Sequence, residues 1–197
     1  MPSHKIHLSI AQEINKKLNL DNDSVMLGSV LPDLTIEHDH GLSHFQFEDV
    51  YPKNLANADE FIKKYPNMKD DISIRYIIHL LTDKYYNDTY YNTNILGIEH
   101  NKYSKHNLFN SYDLYLLKHK CVNNFSKIDI ISKIPNYEDI SFDIEYLKDY
   151  INKTNDEING IEYDNNFRID YQEFLDNLYN GCINYILDNI DKGDNHG

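Results

Sequence analysis

Residues 71–86 read DISIRYIIHLLTDKYY, and this is the most apolar stretch of the chain. On a helix, Ile72, Ile74, Ile77, Ile78, Leu80, Leu81, Tyr85 and Tyr86 point in nearly every direction around the axis. A helix that is apolar on all sides is a buried one, covered by others. His79 and Asp83 sit four residues apart within it, so they lie on one face, one above the other. Burying an imidazole and a carboxylate without partners is costly. A salt bridge, a hydrogen-bonded core pair or a shared metal ion would each remove that cost.

Helices are also predicted on either side of this segment. Residues 3–18 carry Leu8, Ala11, Ile14 and Leu18 at amphipathic spacing, with Ser3 as a candidate N-cap, and His4 and His7 fall on the same inward stripe. A helix over 21–31, with Asp21 and Asp23 as candidate caps, is stopped by Pro32, which leaves Asp33 just past a buried helix end. The segment 35–52 has no sustained period and reads as a loop with one short helix. Within it, HDHGLSHF (38–45) places His38, His40 and His44 in seven residues, a short-tract metal signal. A helix over 54–65 ends at Pro66, and 87–107 reads as a long loop. Helices follow over 112–125, 139–151 and 171–190, with 152–168 as a solvated connection. Strand signals are weak throughout, so the expected class is all-α. One domain over 1–197 is expected, with a metal-binding half over about 1–130 that holds nine of the ten His, and a C-terminal helical part over about 131–192.

Composition narrows the function classes. With 41% hydrophobic and 26% charged residues the chain resembles ordinary folded proteins, not disordered ones. Nineteen Lys and Arg against 32 Asp and Glu give a formal charge of −13, which disfavours broad nucleic-acid or anionic-membrane binding. Bound cations would invert the field locally, so a small anionic substrate is compatible with this balance. No apolar run reaches the ~18 residues of a membrane span. The stretch MPSHKIHLSIAQEINKKL carries charges where an export signal needs an apolar core, so the cytoplasm is the expected compartment. Cys121 and Cys182 read as buried helical thiols. Oligomeric state is left open.

His7 on an early helix, LGSVLPD at 27–33, His44 followed by Phe45, and HLLTD at 79–83 occur in an order and spacing that resembles the zinc-dependent phospholipase C family, which includes bacterial phospholipases C and the related single-strand nucleases. The resemblance covers roughly residues 1–90. It implies a multi-helix, phospholipase C-like bundle around a buried cluster of two or three zinc ions at the bottom of a cleft. Carried onto this chain, it implies that Asp33, His44, His79 and Asp83 hold one zinc, with Asp83 bridging to a second completed by His7 and the N-terminal region. The family's third site, His, His and Glu farther along, has no match at that spacing. The further candidate ligands are His4, His38, His40, Glu99, His100, His106 and Asp113. The implied chemistry is hydrolysis of a phosphodiester or phospholipid-like substrate by metal-activated water, with Asp33 as the candidate catalytic residue that orients or deprotonates it. Two other readings are a non-catalytic zinc-binding or interaction protein, and an HD-type metal phosphohydrolase built on His38 and Asp39.

Overall fold

Eight α-helices form among residues 2–36, 40–46, 56–91 and 102–193, which the computed structural model describes. They are α1 His4–Leu18, α2 Asn22–Gly28, α3 His40–Ser43, α4 Ala58–Lys64, α5 Asp71–Tyr86, α6 Lys102–Lys118, α7 Ile144–Gly160 and α8 Gln172–Gly193. No strand forms among the described residues, and the class is all-α; a single antiparallel bridge joins Thr35 to Phe142. No helix among them is long and apolar enough to cross a membrane.

The apolar helix α5 is the centre of the packing. Asp70 caps it by accepting the Ser73 N–H at 2.9 Å. Helix α2 lies along it, and α1, α4 and α8 also pack on it, which buries Ile72, Tyr76, Ile78, Leu80 and Tyr86. The approach of α2 is close enough to require a glycine. A Cβ added at Gly28 would stand 2.4 Å from the Ile72 carbonyl oxygen and 2.7 Å from Arg75 Cβ.

At the other helices, several boundaries differ from the sequence reading for identifiable reasons. Helix α1 starts as expected, with the Ser3 side chain accepting the Ile6 N–H. Helix α2 ends at Gly28, three residues early, and Leu31–Leu34 makes a 3-10 turn in which Pro32 occupies an early position that needs no N–H. Asp21 caps α2, whereas Asp23 reaches across to accept the Ser126 N–H at 2.8 Å. Helix α4 starts only at Ala58, where Asn57 caps it by accepting the Glu60 N–H at 3.2 Å. The loop expected over 87–107 is shortened from both ends, because α5 continues into a π-helical turn, Asn87–Tyr91, and α6 begins at Lys102.

Helix α6 stops at Lys118, not at residue 125. Lys120 takes a left-handed φ of 58°, and the Cys121 N–H returns to the Leu116 carbonyl at 2.8 Å, a Schellman ending. Cys121 therefore lies outside the helix and is half-buried, while Cys182 in α8 is buried; both thiols are free. The largest correction is α7. It begins after its cap Asp143 and runs on to Gly160, through residues read as a solvated connection. Its Asn, Asp and Glu form the wet face, and Ile151, Thr154 and Ile158 form the buried stripe.

Gly28→Ala is expected to destabilise the fold by about 1–3 kcal/mol through overpacking of α2 on α5. Gly160→Ala, where nothing lies within 4 Å of the added Cβ, should be neutral or stabilising by up to about 1 kcal/mol. Urea denaturation midpoints compare the two variants directly, and equal midpoints would contradict the close approach at Gly28.

Candidate metal centre

Four separate elements deliver one cluster of side chains. Helix α5 presents His79 and Asp83, α1 presents His7, the 3-10 turn presents Asp33, and the turn after α3 presents His44. The last of these needs the most local support. Phe45 takes a left-handed φ of 55°, which costs a bulky residue about 1–3 kcal/mol. Its ring is buried edge-on against Phe61, Tyr65 and Tyr76, which offsets that strain. The Tyr76 hydroxyl donates to the Ser43 carbonyl at 2.6 Å, and the Asn57 N–H donates to the His44 carbonyl at 2.9 Å. His44 is thereby clamped on both sides of its own backbone.

The ligating atoms converge. His44 Nε2 lies 3.0 Å from His79 Nε2, 3.3 Å from Asp33 Oδ1 and 3.2 Å from Asp83 Oδ2; His79 Nε2 lies 3.8 and 3.7 Å from the same two oxygens. Imidazole and carboxylate bonds of ~2.0–2.1 Å to a tetrahedral divalent ion require ligand–ligand edges of ~3.3–3.4 Å, and the observed separations straddle that value. The other Asp83 oxygen, Oδ1, is 3.3 Å from His7 Nε2. The rings of His7 and His79 stack with centroids 3.9 Å apart. Two overlapping groups could each hold a metal ion, His7 with His79 and Asp83, and Asp33 with His44 and His79; they share His79, whose one inward nitrogen serves a single ion at a time, and the expected set of Asp33, His44, His79 and Asp83 does not form one group.

Hydrogen bonding supports a common focus for these groups. Neither nitrogen of His7 and neither oxygen of Asp83 makes a hydrogen bond among the described residues, although the two side chains are within ion-pair distance. Groups this close yet misaligned are aimed at a shared point and not at each other. Orphaned buried polar atoms are costly, and a cation at that point would satisfy His7 Nε2 and Asp83, though not His7 Nδ1. The far nitrogens are held from outside: His79 Nδ1–H donates to the Ser29 carbonyl at 2.8 Å, and His44 Nδ1 pairs with the Ser43 hydroxyl at 3.0 Å. Each bond leaves Nε2 directed inward, as when a metal-ligating histidine is oriented by a hydrogen bond at its other nitrogen.

Electrostatics among the clustered side chains follow from two carboxylates in a dry pocket. Burial pushes Asp83 up, but the His44 and His7 imidazoles override it and hold the carboxyl well below its usual range. Burial likewise raises Asp33, and His79, His4 and His44 reverse the effect. His44, which burial alone would lower, is raised to about 9 by Asp33 and Asp83. His79 is lowered to about 3 by burial and then by His7.

Of the other candidates, His4 stands beside Asp33, with Nε2 3.3 Å from Oδ2, but belongs to neither group. Asp113 is on α6 and takes the Ser3 hydroxyl, and it too is in neither group; burial raises its carboxyl to about 6 against that hydrogen bond. His38, Asp39, Glu99 and His100 lie outside the described residues, as do the side chains of His40 and His106. The sequence reading missed the roles of Ser29 and Ser43; the signal was the serine preceding His44 and the serine after Gly28. A cavity of about 350 Å³ lined by Thr35, Ile36, Leu42 and Ser43 adjoins the centre through Ser43, and none of the five clustered side chains lines it. Compared with protein-family models, curated proteins and solved structures, the chain matches none.

The metal-free protein is expected to lose stability as pH rises. The His44 proton, held to about 9 in the fold against 6.5 when exposed, contributes fully below pH 6.5, and its contribution is lost on passing through about 9. An ion would take the proton's place, so metal-loaded protein should not show this alkaline loss. Melting temperatures from pH 6.5 to 9.5, with and without chelator, test it; parallel profiles would refute the assignment of the proton to this site.

Proposed function

We propose that the chain is a zinc-dependent hydrolase of phosphate esters, acting on a small anionic phosphodiester or phospholipid-like substrate and holding two or three zinc ions. The observation that carries this reading is the surplus of ligands. A structural zinc takes four, commonly thiolates, whereas this centre gathers three imidazoles and two carboxylates in two overlapping groups, with neither cysteine in them. The order of His7, LGSVLPD, His44-Phe45 and HLLTD, which resembles the zinc-dependent phospholipase C family, supports the same reading. The two free thiols fit a reducing compartment, the cytoplasm.

Zinc in such a site lowers the pKa of a bound water to about 7 and polarises phosphoryl oxygens. The chain's own side chains divide the remaining work. His79 and His44 present Nε2 because Ser29 and Ser43 hold their other nitrogens. Asp83 turns Oδ2 toward His44 and Oδ1 toward His7, the disposition of a bridging carboxylate. Asp33 is the most exposed of the five, at 8%, and is placed to orient the attacking water or accept its proton. No side-chain nucleophile is required.

One observation favours a second reading. His7, His44, His79 and Asp83 are 0–1% exposed, so a metal here can also act as a staple between α1, α5 and the turn after α3 without turning anything over. Both readings expect chelation to lower the melting temperature, since an ion bound only to the folded chain adds to its stability. They part at turnover. Zinc-loaded protein should hydrolyse a member of a panel of phosphodiesters, phosphomonoesters and phospholipids, and Asp83→Asn should cut that rate by about 100-fold or more while the helical circular dichroism is retained. A fully metallated wild-type protein inert across the panel would leave the staple as the correct reading.

A further inference from the structure

Four of the five clustered side chains are shut away from solvent, and the fifth, Asp33, is met on its outer side by a residue belonging to neither metal group. His4 is the first residue of α1, one turn before His7, so a single helix sends one imidazole to each carboxylate. His4 Nε2 lies 3.3 Å from Asp33 Oδ2. The inner oxygen, Oδ1, is the one that faces His44 and His79. The His4 side chain keeps 31% of its exposure, which puts it at the open edge of the centre. Its placement is supported from two directions. The Tyr150 ring stands edge-on to it with centroids 5.2 Å apart, and Ser3, just before it, is fixed by the Ile6 N–H and by Asp113. Among the described residues no group of three ligating side chains includes His4, so the pair is not an ion site of its own.

We propose that His4 is a positioning residue whose Nε2–H donates to Asp33 Oδ2 and so restricts Asp33 to a one-oxygen grip on the metal through Oδ1. The inference rests on the metal centre proposed above. A carboxylate whose outer oxygen is released can rotate and chelate with both oxygens, which raises the coordination number and fills the position a water would occupy. Hydrogen bonds from outer partners are what normally prevent this. His4 thus keeps open the side of the centre that, among the described residues, lies nearest solvent, and its effect is exerted through Asp33.

Cobalt(II) loaded in place of zinc reads the coordination directly, because four-coordinate cobalt absorbs visible light far more strongly than five- or six-coordinate cobalt. His4→Ala is expected to weaken that absorption and to lower metal affinity, measured by competition with a chelating dye, by about 10–100-fold. His4→Gln places an amide N–H near the same point and should restore most of both. Circular dichroism should match wild type for each variant, and kcat should fall more than KM rises. Wild-type absorption and affinity in His4→Ala would overturn the proposal, as would a folded His4→Gln no better than His4→Ala. Failure of the metal centre itself is distinguishable, since it appears first in the wild-type protein as no cobalt or zinc uptake, and it would overturn this role as well.

Discussion

Two carboxylates, Asp33 and Asp83, are held ionised where almost no water reaches them, and the rest of the structure answers to that constraint. In a medium of low effective dielectric, paired negative charges within one cluster need a compensating positive charge close by. Without metal, the compensation is a proton on His44, whose affinity is raised to about 9. That shift amounts to a preference on the order of 3 kcal/mol for a positive charge at that point. One proton against two carboxylates still leaves the pocket negative, whereas a single divalent ion neutralises it. The pocket is thus built around a charge that its own side chains supply only in part.

The helices are arranged so that this charge problem is solved by rigid elements. Helix α5 contributes His79 and Asp83 at a spacing that no side-chain rearrangement is needed to align. The Gly28 contact draws α2 onto α5 and brings the Ser29 carbonyl to His79 Nδ1. The same stretch then turns at Pro32 to deliver Asp33. On the opposite side, the aromatic group of Phe45, Phe61, Tyr65 and Tyr76 holds the strained turn that aims His44 inward. Packing and ligand geometry are therefore coupled: the contacts that bury α5 also fix the orientation of the groups it carries.

Much of this was legible in the sequence wherever a periodic pattern carried the information. The all-round apolar face of 71–86 gave away a buried helix, and the four-residue spacing of His79 and Asp83 gave away a shared focus. The inward stripe of α1 placed His7, and Pro32 placed Asp33 at a helix end. What escaped was set by tertiary context. The Asn-rich stretch 152–160 is helical because Ile151, Thr154 and Ile158 have a core to cover, while its composition alone suggests solvent. The end of α6 at a left-handed Lys120 lacks the glycine that usually marks such a turn. The bonds of Ser29 to His79 and of His4 to Asp33 depend on meetings between distant segments that no local pattern encodes, whereas the bond of Ser43 to His44 joins sequence neighbours.

The overall charge of −13 gives the proposed function a further physical condition. An anionic phosphoester approaching this protein meets a repulsive field over most of the surface, and the metal-free pocket, with two ionised carboxylates and one imidazolium, offers it no net attraction. Occupancy by two divalent ions would turn the same pocket net positive while the surrounding surface stays acidic. On the proposed reading, substrate recognition is therefore conditional on metal loading, because the ions are the main source of positive charge at the point of attack. Among the described residues, the least buried side of the centre is the one bounded by Asp33 and His4, since His7, His44, His79 and Asp83 are closed off by the elements packed around them. On the proposed reading, an approach from that side would favour substrates by the charge and reach of the phosphoryl group, with the remainder of the molecule accommodated outside the cluster.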